Sequence, residues 1–207
     1  MRTHRFASHT AEEMRRLSNL GHLIEGLLLA AVGVLTILEG IRVAAWASKA
    51  WPILILVAGV LLLLLIYPRH PLSDWPAIWR DPQQREHTIM AASIAVAGVA
   101  ELLRGSSVGW AYVWPGVMLL IGVLFLTHAQ HGTGAAVVKA LWQHRILGLT
   151  AIVAGLLRVA EVSTGVSVLG ILWPIVLMAA AAQLILYREP EGAYEAEGGH
   201  GGHGEHG

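Results

Sequence analysis

The run His22-Leu-Ile-Glu-Gly-Leu-Leu-Leu-Ala-Ala-Val-Gly33-Val-Leu-Thr-Ile-Leu-Glu39, with the Trp51-Pro52 pair that follows it, decides the fold because the chain repeats its pattern. The pattern returns from His87 and again from His144. Four residues after each histidine stands a small residue (Gly26, Ala91, Gly148), and eleven after it a glycine (Gly33, Gly98, Gly155). Seventeen after it stands a charge: Glu39, Arg104 or Glu161. Each copy continues into a Trp-Pro pair, at Trp51-Pro52, Trp114-Pro115 and Trp173-Pro174. Seven residues past each proline comes Gly59, Gly122 or Ala181. A period of about 60 residues marks each copy as one supersecondary unit.

Each unit holds two apolar runs, six in all, near residues 20–42, 50–67, 87–104, 110–128, 144–161 and 169–187. A helix rising 1.5 Å per residue needs roughly 20 such residues to cross a hydrocarbon core of about 30 Å. The runs are continuously apolar and lack the alternation of a membrane barrel strand. The fold class expected is therefore an all-α integral membrane protein of six transmembrane helices, arranged as three tandem two-helix hairpins in a pseudo-threefold bundle. The hairpins fall at about 20–68, 85–128 and 142–187, between an amphipathic segment 1–19 and a Gly/His-rich tail 188–207 expected to be disordered. Thr10-Ala-Glu-Glu13 reads as a capping box opening a short helix ahead of the first span.

Composition agrees and excludes much else. The chain of 207 residues is 55% hydrophobic and 14% charged, against about 25% charged in soluble domains. Fourteen basic residues balance fourteen acidic ones, so nothing favours a nucleic-acid partner. Cysteine is absent, which excludes iron–sulfur clusters, c-type haem and thiolate chemistry. No nucleophile–base arrangement or phosphate loop stands out, so no enzyme is expected. Ten lysines and arginines lie on the side of the termini and four on the other. The positive-inside rule then puts both termini in the cytoplasm, with the chain in the plasma (inner) membrane.

Positions 0, +4 and +11 of each unit share one face of a helix advancing ~100° per residue. Each first helix thus carries a small-residue seam, and the three first helices are expected to form an inner layer. The Trp-Pro pairs read as helix starts at the lipid–water boundary, with proline at the first helical position. Glu39 and Arg42, Glu101 and Arg104, and Arg158 and Glu161 fall at the far ends of the first helices as opposite-charge pairs three residues apart. An interhelical salt-bridge ring is the expected role.

All eleven histidines lie on the cytoplasmic side or at its interface. His22, His87 and His144, converging on a shared axis, would make a trigonal site for zinc, copper or nickel. Glu25, one turn from His22, joins as a candidate ligand. His128-Ala-Gln-His131, with helical i,i+3 spacing, lies on the same side, and His70 is near it in depth; either could extend the site or sit in the headgroups. In the tail, His200, His203 and His206 around Glu205 form a second candidate metal set. The hairpin layout is similar to that of the HdeD-type acid-resistance membrane proteins across most of residues 20–187. The likeness lies in the layout, and the histidines and Trp-Pro pairs stand outside it.

The function expected is binding of a divalent transition metal on the cytoplasmic side, in metal homeostasis or transport. The alternative is a non-catalytic accessory or scaffold subunit of a membrane complex, or a stress-response membrane protein. Partners are the lipid bilayer and either complex subunits or further copies of the chain. Deleting residues 191–207 should leave the six helices intact and remove most weak nickel or copper binding, as titration of the purified protein would read. That binding should weaken as pH falls through about 6.5, because a protonated imidazole cannot coordinate.

Overall fold

The computed structural model describes residues 10–66, 75–128 and 134–191. It is helical, with no strand among the described residues. In chain order the helices are α1 (Ala11–Gly40), α2 (Ala47–Ile66), the short α3 (Trp75–Arg80), α4 (Pro82–Leu103), α5 (Val113–Leu126), α6 (Gly134–Thr164) and α7 (Leu169–Leu186). A 3-10 turn, Val108–Tyr112, leads into α5. All but α3 belong to segments long and apolar enough to span a membrane, which makes six spans. The chain is thus a multi-pass membrane protein by length and composition.

Local signals explain the starts. Thr10 caps α1 through a complete capping box: its hydroxyl accepts from Glu13 N–H at 3.2 Å, and Glu13 Oε2 accepts from Thr10 N–H at 2.9 Å. No separate amphipathic helix follows, because α1 runs unbroken from Ala11 to Gly40. No proline interrupts residues 11–22, and the single Gly21 does not break the helix, so propagation carries through. Asp81 caps α4, accepting from Gln83 and Gln84 N–H, with Pro82 in the first turn.

Each long helix packs on two others, in the closed order α1–α2–α4–α5–α6–α7–α1. The expected inner layer is therefore absent: α1, α4 and α6 do not pack backbone to backbone, and each sits between two second helices. The reason lies where the seams point. A Cβ on Gly26 would come within 2.9 Å of the Ala181 carbonyl of α7, and one on Gly148 within 2.7 Å of the Gly122 carbonyl of α5. A Cβ on Gly59 of α2 would come within 2.7 Å of the Ala91 carbonyl of α4. These pairs join position +4 of one hairpin to the seventh residue past the proline of the hairpin before it. The glycines at +11 do likewise, with Gly33 against Met178, Gly98 against Leu56 and Gly155 against Leu119, each four residues past a proline. Small residues at these crossings let helix backbones approach closely, which supplies the packing that lipid-exposed apolar surface cannot.

The axis is filled by Val32, Ile55, Ala97, Met118, Ala154 and Leu177 with Trp51, Trp114 and Trp173. Those tryptophans were expected at the lipid boundary; instead they are 0%, 3% and 2% exposed. The prolines are misplaced too: Pro52 and Pro174 lie inside α2 and α7, which begin at Ala47 and Leu169. A proline within the first two turns removes few helix hydrogen bonds, so the helices start earlier and carry the indoles inward.

At the other end, packing continues past residue 187, where the tail was expected to begin. Glu189 and Pro190 are buried, and Glu189 accepts from Ser18 Oγ at 2.6 Å while its N–H donates to Asn19 Oδ1 at 2.8 Å. The exposed Arg15–Glu191 pair, at 3.2 Å, adds little. Residues 192–207, with the tail histidines, lie outside the described residues, as do His70 and His131.

Gly98→Ala should lower stability by about 1–3 kcal/mol through overpacking against Leu56, whereas Gly116→Ala, which meets nothing within 4 Å, should leave the unfolding midpoint in detergent unchanged or raised.

Candidate functional site

Two polar clusters occupy opposite ends of the bundle, some 17 residues or roughly 25 Å of helix apart. Between them lies the apolar axis.

The first cluster holds every histidine among the described residues. His22 comes from α1, His87 from α4 and His144 from α6, while His128 follows the end of α5. Their rings form a contact chain: His22 to His144 at 6.1 Å between centroids, His144 to His128 at 4.5 Å and His128 to His87 at 5.1 Å. Tyr187 stacks on His22 at 4.0 Å and lies 5.6 Å from His144. So His22, His87 and His144 do lie at one end, and His128, left at the margin by sequence reasoning, stands between His87 and His144. A signal for it existed. His128 falls thirteen residues past Pro115, as Tyr187 does past Pro174, so both end a second helix at one level.

Local helix geometry sets the ring orientation. Nδ1 of His22 meets the Ser18 carbonyl at 2.7 Å, Nδ1 of His87 the Gln83 carbonyl at 2.8 Å, and Nδ1 of His144 the Ala140 carbonyl at 2.8 Å. A carbonyl only accepts, so Nδ1 carries the proton in all three, and Nε2 keeps the lone pair. His128 differs, with Nδ1 held by the Glu86 carboxylate at 2.8 Å. Each imidazole therefore has one nitrogen anchored.

Glu25 does not join them through any hydrogen bond. Its Oε1 is buried without a hydrogen-bond partner, and its position stands about 60° from that of His22 on the helical wheel. Among the described residues, no group of three or more His, Asp or Glu side chains is placed so that it could hold a metal ion.

The second cluster is an interhelical ion-pair chain across α1, α4 and α6, open between α6 and α1 among the described residues where a ring was expected. Arg104 of α4 pairs with Glu39 of α1 and approaches Glu101 at 3.7 Å; Arg158 of α6 approaches Glu101 at 3.8 Å and pairs with Glu161 at 2.5 Å. Glu39, expected to pair with Arg42, instead finds its partner across the helix gap in Arg104, because Arg42 lies past the end of α1 with a positive φ of 60°. Trp51 Nε1 donates to Glu39 at 2.6 Å, and the Arg104 and Arg158 guanidiniums lie 5.1 and 5.2 Å from the Trp51 and Trp173 ring centroids. Two of the three inward indoles, Trp51 and Trp173, are thus part of this layer as cation–π partners. Glu101 is 1% exposed, so its charge depends on two arginines from two helices.

No protein-family model matches the chain, and no curated protein is similar to it.

Removing one partner of a buried ion pair strands the other. Arg158→Met should cost about 3–5 kcal/mol of stability, while Glu12→Gln, which breaks only the exposed Glu12–Arg16 pair, should cost about 0–1 kcal/mol; unfolding in detergent compares the two.

Proposed function

We propose that this chain is a membrane protein of metal homeostasis, taking a divalent transition metal (zinc, copper or nickel) at the histidine end. In this reading the three hairpins are tandem repeats about a pseudo-threefold axis, and the histidine end and both termini face the cytoplasm. The observation that carries it is the shared anchoring of His22, His87 and His144. Each gives its Nδ1 proton to the carbonyl four residues before it and keeps Nε2 as a lone-pair donor. Metal-ligating histidines are held in this way, with the second nitrogen fixing tautomer and ring orientation.

Distances fit after small movements. Two imidazoles bound to one tetrahedral zinc through bonds of 2.0–2.1 Å place their centroids roughly 5 Å apart. Of the three, His22 and His144 stand 6.1 Å apart, about 1 Å wide of that spacing, whereas His87 touches His128 and has to move toward the other two for all three to share an ion.

Holding is favoured over conducting. The axis between the clusters is packed with Val32, Ile55, Met118, Leu177 and three tryptophans, and offers a hydrated ion no polar path. The same sealed axis favours the second reading, a non-catalytic scaffold subunit whose two polar layers only fasten the helices together.

Elemental analysis and competition titration of the purified full-length chain separate the two. To remove the tail's contribution, the chain carries His200→Ala, His203→Ala and His206→Ala. About one zinc, copper or nickel ion per chain is expected, with affinity falling at least tenfold in His22→Ala, His87→Ala or His144→Ala and unchanged in His70→Ala. A chain that takes up no ion, or whose binding ignores all three substitutions, overturns the metal reading in favour of the scaffold.

A further inference from the structure

We propose that His128 is the fourth ligand of this site and that Glu86 is its positioning residue, so that the ion sits in four imidazole nitrogens. The inference rests on the metal reading above and adds to it a ligand outside the repeated positions.

Position is the first argument. Of the repeat histidines, His22 and His144 are in ring contact, whereas His87 reaches the group through His128. His128 touches both His144 and His87, at 4.5 and 5.1 Å. An ion within reach of His87 and His144 together therefore lies beside His128. Leaving that ring out of the shell would need it to swing away, and it is buried at 5% exposure against α4 and α6.

The second argument is the anchor. His128 follows α5, past its C-cap Thr127, so it has no helical carbonyl of the kind the other three use. Glu86 of α4 supplies the acceptor instead, at 2.8 Å from Nδ1. The His128 side chain is 0% exposed and that of Glu86 15%, so water screens this contact little. A carboxylate on the far nitrogen raises the basicity of the ligating one, as in carboxylate–histidine–metal triads. Glu86 and His87 are sequence neighbours, so one turn of α4 supplies both a ligand and the buttress of another.

The third argument is number. Three hairpins supply three repeat ligands, but a closed tetrahedral site needs four. The equivalent of His128 is Tyr187 in the third hairpin and Leu65 in the first, thirteen residues past Pro174 and Pro52. Only the second hairpin departs toward a ligand. Tyr187 stacks at 19° on His22, which restrains that ring and leaves the fourth place to His128. Neutral nitrogen donors suit borderline ions, zinc, copper and nickel alike.

The test uses the full-length chain with the three tail histidines replaced by alanine, loaded with zinc alone. X-ray absorption at the zinc edge should count four imidazole nitrogens at about 2.0–2.1 Å, a measurement that needs no variant to fold. His128→Ala should reduce the count to three. Glu86→Gln should keep four nitrogens while weakening zinc about 10–100-fold, the effect of losing an outer-shell partner. A purely structural Glu86 would leave zinc affinity unchanged in every Glu86→Gln chain that stays folded, and that result would overturn the positioning role. Three nitrogens in the unsubstituted site, with His128→Ala binding as tightly, would overturn the fourth ligand and leave the three-histidine reading standing. Absence of bound zinc in the unsubstituted site would end both.

Discussion

The close approach of helices at the hairpin boundaries is the constraint on which the rest depends. In lipid, apolar side chains gain nothing by leaving one another for the bilayer, so helices associate through packing and polar contact. Here Gly59 faces the Ala91 carbonyl, Gly122 faces Gly148, and Gly26 faces the Ala181 carbonyl. These crossings bind each hairpin to the next and close six helices into a ring. Closure leaves an axis narrow enough for three indoles and a few aliphatic side chains to fill. It also brings the first-helix ends together, without direct backbone contact, so that side chains meet across the axis at both ends.

The two ends use that proximity differently. At the ion-pair end, long side chains cross from α4 to α1 and from α6 to α4, and neither guanidinium could be replaced by a shorter group without losing the span. At the histidine end the rings are short, and the helices must bring them close by themselves. One end therefore resists rearrangement through charge, and the other holds rings each anchored at Nδ1. The ion-pair layer fastens the frame that positions the imidazoles.

The spans, the small-residue seams and the clustering of His22, His87 and His144 could be read from the sequence because each rests on periodicity. A helix carries its residues at fixed angles, so spacing alone places +4 and +11 on the histidine's face. What spacing cannot supply is the identity of the neighbour across that face. The seams point to the preceding hairpin's second helix rather than to the other first helices, and the inner layer disappears accordingly. Trp51, Trp114 and Trp173 misled for a similar reason: an indole near a span's end suits the lipid boundary by composition, but the helices begin before the prolines and turn it inward. His128 was underweighted because it belongs to no first helix.

Ring closure has one more consequence, for the covalent order of the chain. The α7–α1 boundary is built from the same pair of positions as the α2–α4 and α5–α6 boundaries, yet only the latter two are crossed by a connecting segment. At the open boundary Glu189 lies against Ser18 and Asn19, so the polypeptide leaves the bundle beside the helix on which it entered. To the packing, the place where the chain starts is a matter of bookkeeping. A circularly permuted gene, beginning at α4 and joining α7 to α1 through a short linker, would encode the same helix neighbours.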